Sequence, residues 1–200
     1  MSHYFTDNRE LEKKEKQLPF KFNGDDYTFT TYAGVFSKDA IDYGSFAFVK
    51  VLVNQDLGRR MLDLGCGYGT LGIIIKKTFV DLKVDMVDIN PRAVELTMIN
   101  KDNNKVDVNC FVSDKFENVK SSYTSIICNP PIRTGKDNIY SIFKEAYDYL
   151  EVNGSLYLVI RKQQGAKSAF KYLEGIYQEV DLLAKDKGYH IIRAKKLNIK

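Results

Sequence analysis

The chain has no tryptophan, two histidines and three cysteines in 200 residues. His3 and His190 lie at opposite ends, and Cys66, Cys110 and Cys128 form no Cys-x-x-Cys pair. A structural zinc site takes about four clustered ligands, so no metal is expected. An odd cysteine count speaks against a disulfide framework and for reduced thiols in a reducing compartment. No apolar run approaches the ~20 residues that span a bilayer, and no basic, apolar, small-residue succession marks a secretory leader. A cytoplasmic protein without membrane association is expected. Neither sign of charge is in large excess: the formal net charge of +4 permits a nucleic-acid partner without demanding one.

What is present suffices for one globular domain with a small appendage. Hydrophobic residues make up 44% and charged residues 28%, enough for a core and a solvated surface. The stretch from Asn8 to Lys16 is polar. Leu18–Phe22 and Tyr27–Tyr32 read as strands joined at Asn23-Gly24-Asp25, a hairpin turn. A loop from Ala33 to Gly44 leads to Ser45, expected to cap a helix reaching about Gln55. Strands then alternate with helices: Arg60–Leu64, a helix near Gly69–Thr78, Val84–Ile89, and a helix from Pro91 to about Asn103. Strands near Val106–Val112 and Tyr123–Cys128 follow, then a helix over Ile139–Leu150, a strand at Ser155–Ile160 and a helix over Ala166–Tyr177. Glu179–Ala184 and Tyr189–Lys195 close the chain as an antiparallel pair. This alternation predicts an α/β fold, a mostly parallel sheet with helices on both faces. Residues 1–44 are expected to form an N-terminal extension with a β-hairpin packed on the core, and residues 45–200 the main domain.

Two motifs carry chemistry. Asp63-Leu64-Gly65-Cys66-Gly67-Tyr68-Gly69 is a glycine turn at the C-terminal end of the first core strand, the edge where open α/β sheets bind ligands. A dinucleotide fingerprint would place its third glycine where Thr70 stands. Asp63 puts acidity beside the turn, unfavourable for a pyrophosphate and favourable for a sulfonium or ammonium. Asp88 ends the next strand, where its carboxylate can accept both hydroxyls of a ribose. Ser113-Asp114 follows the third, where Asp114 can accept from an adenine amino group. The spacing favours S-adenosylmethionine over NAD.

The second motif is Asn129-Pro130-Pro131-Ile132. The prolines stiffen the backbone, so the Asn129 side-chain oxygen and the Pro130 carbonyl can face the two hydrogens of a planar amine and disperse charge developing on its nitrogen. No strong base is needed. Arg133, Lys136, Arg161, Lys162 and Lys167 follow sheet strands and would give the same edge a basic rim. Lys13, Lys14 and Lys16 are interleaved with Glu10, Glu12 and Glu15 and read as a solvated surface.

These residues resemble the class I S-adenosylmethionine-dependent methyltransferases from about Met61 onward, on Asp-Leu-Gly-Cys-Gly-Tyr-Gly, Val87-Asp88-Ile89-Asn90-Pro91-Arg92-Ala93 and Asn-Pro-Pro-Ile. Gly34-Val35-Phe36-Ser37-Lys38-Asp39, Asp42-Tyr43-Gly44-Ser45, Arg133-Thr134-Gly135-Lys136 and Lys162-Gln163-Gln164-Gly165-Ala166 are similar to segments of the ribosomal small-subunit methyltransferase C-like family. That family methylates a guanine N2 amino group in 16S ribosomal RNA. The resemblance implies a Rossmann-like seven-stranded sheet in the order 3-2-1-4-5-7-6 with the last strand antiparallel, and S-adenosylmethionine as cofactor. It implies cofactor binding by Asp63, Gly65, Gly67, Asp88, Ile89, Asp114 and Asn129, and catalysis by Asn129, Pro130, Pro131 and Ile132. Phe36, Arg133, Lys136 and Lys162 are the substrate-binding candidates. Ile132 stands where many amino-methylating relatives carry Phe or Tyr to stack on the base, a role then open to Phe36, Tyr32 or Arg133. Ribosomal RNA or the small subunit is the expected partner. The oligomeric state is left open, a monomer being the simpler expectation. Methylation of a protein glutamine amide, and a non-catalytic ribosome-assembly module, are the alternatives.

Overall fold

The computed structural model describes residues 15–32, 41–131 and 135–198. β1 (Lys16–Phe22) and β2 (Asp25–Thr31) pair antiparallel through the two-residue turn Asn23-Gly24. Both turn residues have positive φ, 50° and 88°, the twist a tight hairpin requires. Strands and helices then alternate: α1 (Tyr43–Leu52), β3 (Arg60–Leu64), α2 (Thr70–Thr78), β4 (Lys83–Asp88), α3 (Pro91–Asn103), β5 (Asn109–Val112), β6 (Tyr123–Cys128), α4 (Lys136–Tyr149), β7 (Leu150–Arg161), α5 (Ala166–Glu174), β8 (Glu179–Asp186) and β9 (Tyr189–Lys195).

Strands β3 to β9 form one seven-stranded sheet ordered β5-β4-β3-β6-β7-β9-β8, in which β9 runs antiparallel to both neighbours. Numbered from β3, that is 3-2-1-4-5-7-6, as the resemblance implies. Side chains alternate across the sheet, as the pleat demands. Met61, Ile127, Tyr157, Val159 and Ile191 join one core with α1, α2, α3 and the hairpin. Leu62, Leu64, Ile126, Leu158, Ile160 and Ile192 join the other with α4 and α5. In α4 the buried residues Ile139, Ile142, Phe143 and Ala146 follow the helical period. Phe143 is fully buried, and its truncation to Ala would cost about 3–5 kcal/mol.

Two sequence expectations are corrected. Ser45 is not the cap of α1. Asp42 is, its Oδ1 accepting the Ser45 amide at 3.1 Å, so the helix starts three residues earlier and the Ser45 hydroxyl is released for another partner. The strand expected from Val106 begins only at Asn109. Lys105 has φ 55° and the Val106 amide donates to the Lys101 carbonyl at 3.0 Å, so these residues close the end of α3 instead.

The hairpin is fastened to α3 by two asparagines one turn apart. The Thr30 amide donates to Asn100 Oδ1 at 2.6 Å, and Asn100 Nδ2 donates to the Thr30 carbonyl at 3.0 Å. Asn104 treats Thr28 the same way, at 3.1 and 2.9 Å. A helical turn rises about 5.4 Å and two strand residues about 6.7 Å, close enough for side-chain amides to stand in for a neighbouring strand.

Candidate functional site

Leu64, the last residue of β3, is level with Val87 in β4 and with Cys128 in β6. The glycine turn and Asn129 therefore leave adjacent parallel strands at the same height, about 4.8 Å apart. The chain passes from β3 to β4 on one side and reaches β6 on the other, so a crevice opens where the strand order reverses.

The turn is held from below. The Gly65 and Cys66 amides donate to the Val87 carbonyl at 2.8 and 2.9 Å. The Gly67 amide donates to Asp88 Oδ2 at 2.9 Å and the Asn90 amide to Asp88 Oδ1 at 2.8 Å. Helix α3 braces the rim: Thr97 Oγ1 donates to the Gly67 carbonyl at 3.0 Å and Asn100 Nδ2 to the Tyr68 carbonyl at 2.8 Å. Gly65 has φ 75°, yet a Cβ built on it would meet nothing within 4 Å. The backbone there faces open space, as close approach of a ligand requires.

Asp63 lies under the turn, 1% exposed. Its Oδ2 accepts the Gly72 amide at 2.9 Å. A Cβ at Gly72 would sit 2.6 Å from Met86 Cε and 3.1 Å from that oxygen, so the glycine admits the contact. Burial pushes the Asp63 carboxyl up to about 7; the Gly72 amide opposes this and Asp88 adds to it. A positive ligand above would tip it toward ionisation. Cys66 and Cys128 are buried, and burial raises both thiols, leaving them poor nucleophiles.

Ile89, the residue after β4, and Val112, the last of β5, are 40% and 41% exposed, an apolar lip beside Asp88. Asp114 is exposed one strand further out and borders an open depression of about 370 Å³ with Lys115, Phe116, Glu117, Glu145 and Tyr149. None of the other site candidates lines it. Asn129 is half-buried and Pro130 buried. Asn129 Nδ2 donates to Ser45 Oγ at 3.2 Å.

The structure thus gathers Asp63, Gly65, Gly67, Asp88, Ile89, Asn129, Pro130 and Pro131 at one crevice. Lys136, exposed at the start of α4 with Nζ 5.1 Å from the Tyr140 ring centre, and Lys162, exposed after β7, sit on the β6–β7 side. Ile132, Phe36 and Arg133 lie outside the described residues. Tyr32 is 3% exposed, which corrects the suggestion that it stacks on a base: its ring is committed to the core. Ser45, Thr97 and Asn100 were missed by sequence reasoning. Only the pair Asn100, Asn104 left a signal, two amides at helical spacing on one face.

The methyltransferase small domain family matches residues 26–193. The chain is 39% identical to the uncharacterized protein YbxB of Bacillus subtilis, over 98% of both chains. It is 31% identical to ribosomal RNA small subunit methyltransferase C of Photobacterium profundum over 90% of this chain and 53% of that protein. The chain therefore spans nearly all of the first relative and about half the length of the second. A solved structure of a 16S rRNA N2 methyltransferase from T. thermophilus, in complex with AdoMet and guanosine, superposes with a TM-score of 0.83 at 23% identity, covering 93% of this chain and 51% of that one.

Proposed function

Because the chain belongs to the methyltransferase small domain family, we propose that it transfers a methyl group from S-adenosylmethionine to the exocyclic N2 amino group of a guanine in 16S ribosomal RNA. The observation that carries this reading is the common level of Leu64 and Cys128, which sets a ligand-accepting glycine turn beside a stiff Asn-Pro loop. Similarity to the ribosomal RNA small subunit methyltransferase C proteins supports the RNA target.

The residues fit the cofactor. Gly65 leaves room for backbone approach. The Asp88 carboxylate accepts the Gly67 and Asn90 amides and, as a group that takes about four donors, suits ribose hydroxyls as well. Ile89 and Val112 suit the faces of a flat ring, and Asp114 its amino group. Asp63 balances positive charge from beneath. When bound, the cofactor supplies a methyl group made electrophilic by a sulfonium. Asn129 Oδ1 and the Pro130 carbonyl would then hold the two amine hydrogens, leaving the nitrogen lone pair free and meeting the positive charge that grows on the nitrogen; the methylated nitrogen, made acidic by that charge, gives up one of the two protons to water. Ser45 fixes the Asn129 amide so that Nδ2 is occupied and Oδ1 is turned to the substrate.

The test is transfer of labelled methyl to small ribosomal subunits from cells lacking this protein. N2-methylguanine in the digested RNA is the expected product, and label confined to protein would reject the RNA reading. Asn129→Ala should lower kcat about a hundredfold or more, the scale of losing one charge-stabilising group, with S-adenosylhomocysteine affinity kept. Normal turnover by that variant would remove Asn129 from the mechanism.

A further inference from the structure

We propose that the β8–β9 hairpin, the end of β7 and the first turn of α1 together grip the ribosomal-RNA strand flanking the target nucleotide; this rests on the RNA reading of the cleft. Sheet register builds the surface. Arg161 at the end of β7 is level with Tyr189 at the start of β9, and Lys185 and Asp186 of β8 are level with His190 and Tyr189. The turn Lys187-Gly188, with φ of 42° and 83°, therefore projects from the same sheet edge as the cleft. The Lys162 amide donates to the Gly188 carbonyl at 2.7 Å, tying the chain after β7 to that turn.

The surface is continuous with Asn129. Ser45, which holds Asn129, lies two residues after Tyr43 on the first turn of α1. The Tyr43 ring centre is 6.1 Å from that of Tyr189, and its hydroxyl donates to Asp186 Oδ2 at 2.9 Å. Gly44 allows the approach, since a Cβ there would lie 2.6 Å from Tyr189 Cε1.

Its cations are exposed, and two are set on aromatic rings. Arg161, Lys162, Lys185 and Lys187 are all exposed, and among the described residues none forms an ion pair with a carboxylate. Arg161 rests 4.9 Å from the Tyr189 ring centre and Lys187 Nζ 4.5 Å from that of Tyr43. The two acids nearby are held by neutral donors, Asp42 by the Ser45 amide and Asp186 by the Tyr43 hydroxyl, and against them stand four exposed cations. His190 is held below the usual histidine range by burial and by Lys185 and Lys162. At the opposite sheet edge the arginines are paired, Arg59 with Glu151 at 2.9 Å and Arg60 with Asp85 at 2.7 Å. Cations seated on aromatic rings can turn to phosphates without breaking an ion pair, and each phosphate they neutralise releases a counterion.

The experiment measures KM for subunit RNA against salt in the full-length protein. Lys162→Gln/Lys185→Gln/Lys187→Gln should raise KM about tenfold or more and make the log–log salt slope shallower by about 2, from ~0.7 per lost phosphate contact. kcat, melting temperature and S-adenosylhomocysteine affinity should hold. Lys83→Gln/Lys105→Gln/Lys120→Gln removes equal charge at the opposite edge and should shift KM less than about twofold. Equal KM shifts in the two variants, or an unchanged salt slope in the first, overturn the grip alone. Wild-type protein that labels only ribosomal protein overturns the RNA reading and the grip with it.

Discussion

Asn129 donates its side-chain amide to the Ser45 hydroxyl at 3.2 Å, joining the loop after β6 to the first turn of α1. The bond exists because Asp42, not Ser45, caps that helix. Ser45→Ala leaves the cap intact and frees the Asn129 amide to rotate. We expect kcat to fall about tenfold, the worth of one hydrogen bond, with S-adenosylhomocysteine affinity unchanged and Ser45→Thr restoring most of the rate. Stopped-time methylation assays on the three proteins decide it; equal kcat in Ser45→Ala would show that Asn129 needs no such support.

Gly65→Ala separates the fold from the ligand. The new Cβ meets no protein atom, so the cost to folding is the strain of φ 75° alone, about 1–2 kcal/mol. Cofactor affinity should fall at least tenfold, because the methyl group occupies the approach. Calorimetry with S-adenosylhomocysteine beside a thermal melt reads both; wild-type affinity would place the ligand elsewhere.

Asp63 gives a pH dependence. Its carboxyl is held at about 7 against an ordinary 3.8, so the native protein keeps a proton that the unfolded chain has released. Its contribution to stability is therefore full below about pH 4 and is lost as pH rises to about 7. Asp63→Asn should flatten that slope in thermal melts of the ligand-free protein. In wild type, affinity for S-adenosylmethionine should rise several-fold between about pH 5.5 and about pH 7 as the carboxyl ionises, more than for uncharged-sulfur S-adenosylhomocysteine. A steep rise retained in Asp63→Asn would assign the titration to another group.

Asn100→Ala should destabilise the protein by about 3 kcal/mol. It strands the Thr30 amide and carbonyl and the Tyr68 carbonyl, each costing about 1–3 kcal/mol when buried, not additively. Urea unfolding measures the loss. A change under about 1 kcal/mol would mean that water replaces the side chain.

Much of the fold was legible because its signals are local. β3, β6, β9 and α3 lie where period and punctuation put them, since Pro91 starts α3 and apolar runs mark strands buried on both faces. The cap of α1 was misassigned because Asp42 and Ser45 are both good caps and only three-dimensional competition chooses between them. The glycine turn and Asn129 loop were visible as motifs, but Asp63 was read as a charge at the turn when burial leaves it near its midpoint. The Ser45–Asn129 bond spans 84 residues, and the Tyr43–Asp186 bond 143. No pattern in sequence carries contacts of that separation.

The asparagine pair on α3 has one more consequence. A free strand edge invites another chain to add to it, and a two-stranded ribbon alone is marginal in water. Here Asn100 and Asn104 occupy the outward backbone groups of Thr28 and Thr30, so β2 is neither sticky nor able to slide. Sliding by one residue would turn those groups inward and expose Tyr27 and Phe29, both now buried. Two polar side chains thus make the hairpin a fixed strut, and through Asn100 the strut bears directly on the carbonyl of Tyr68.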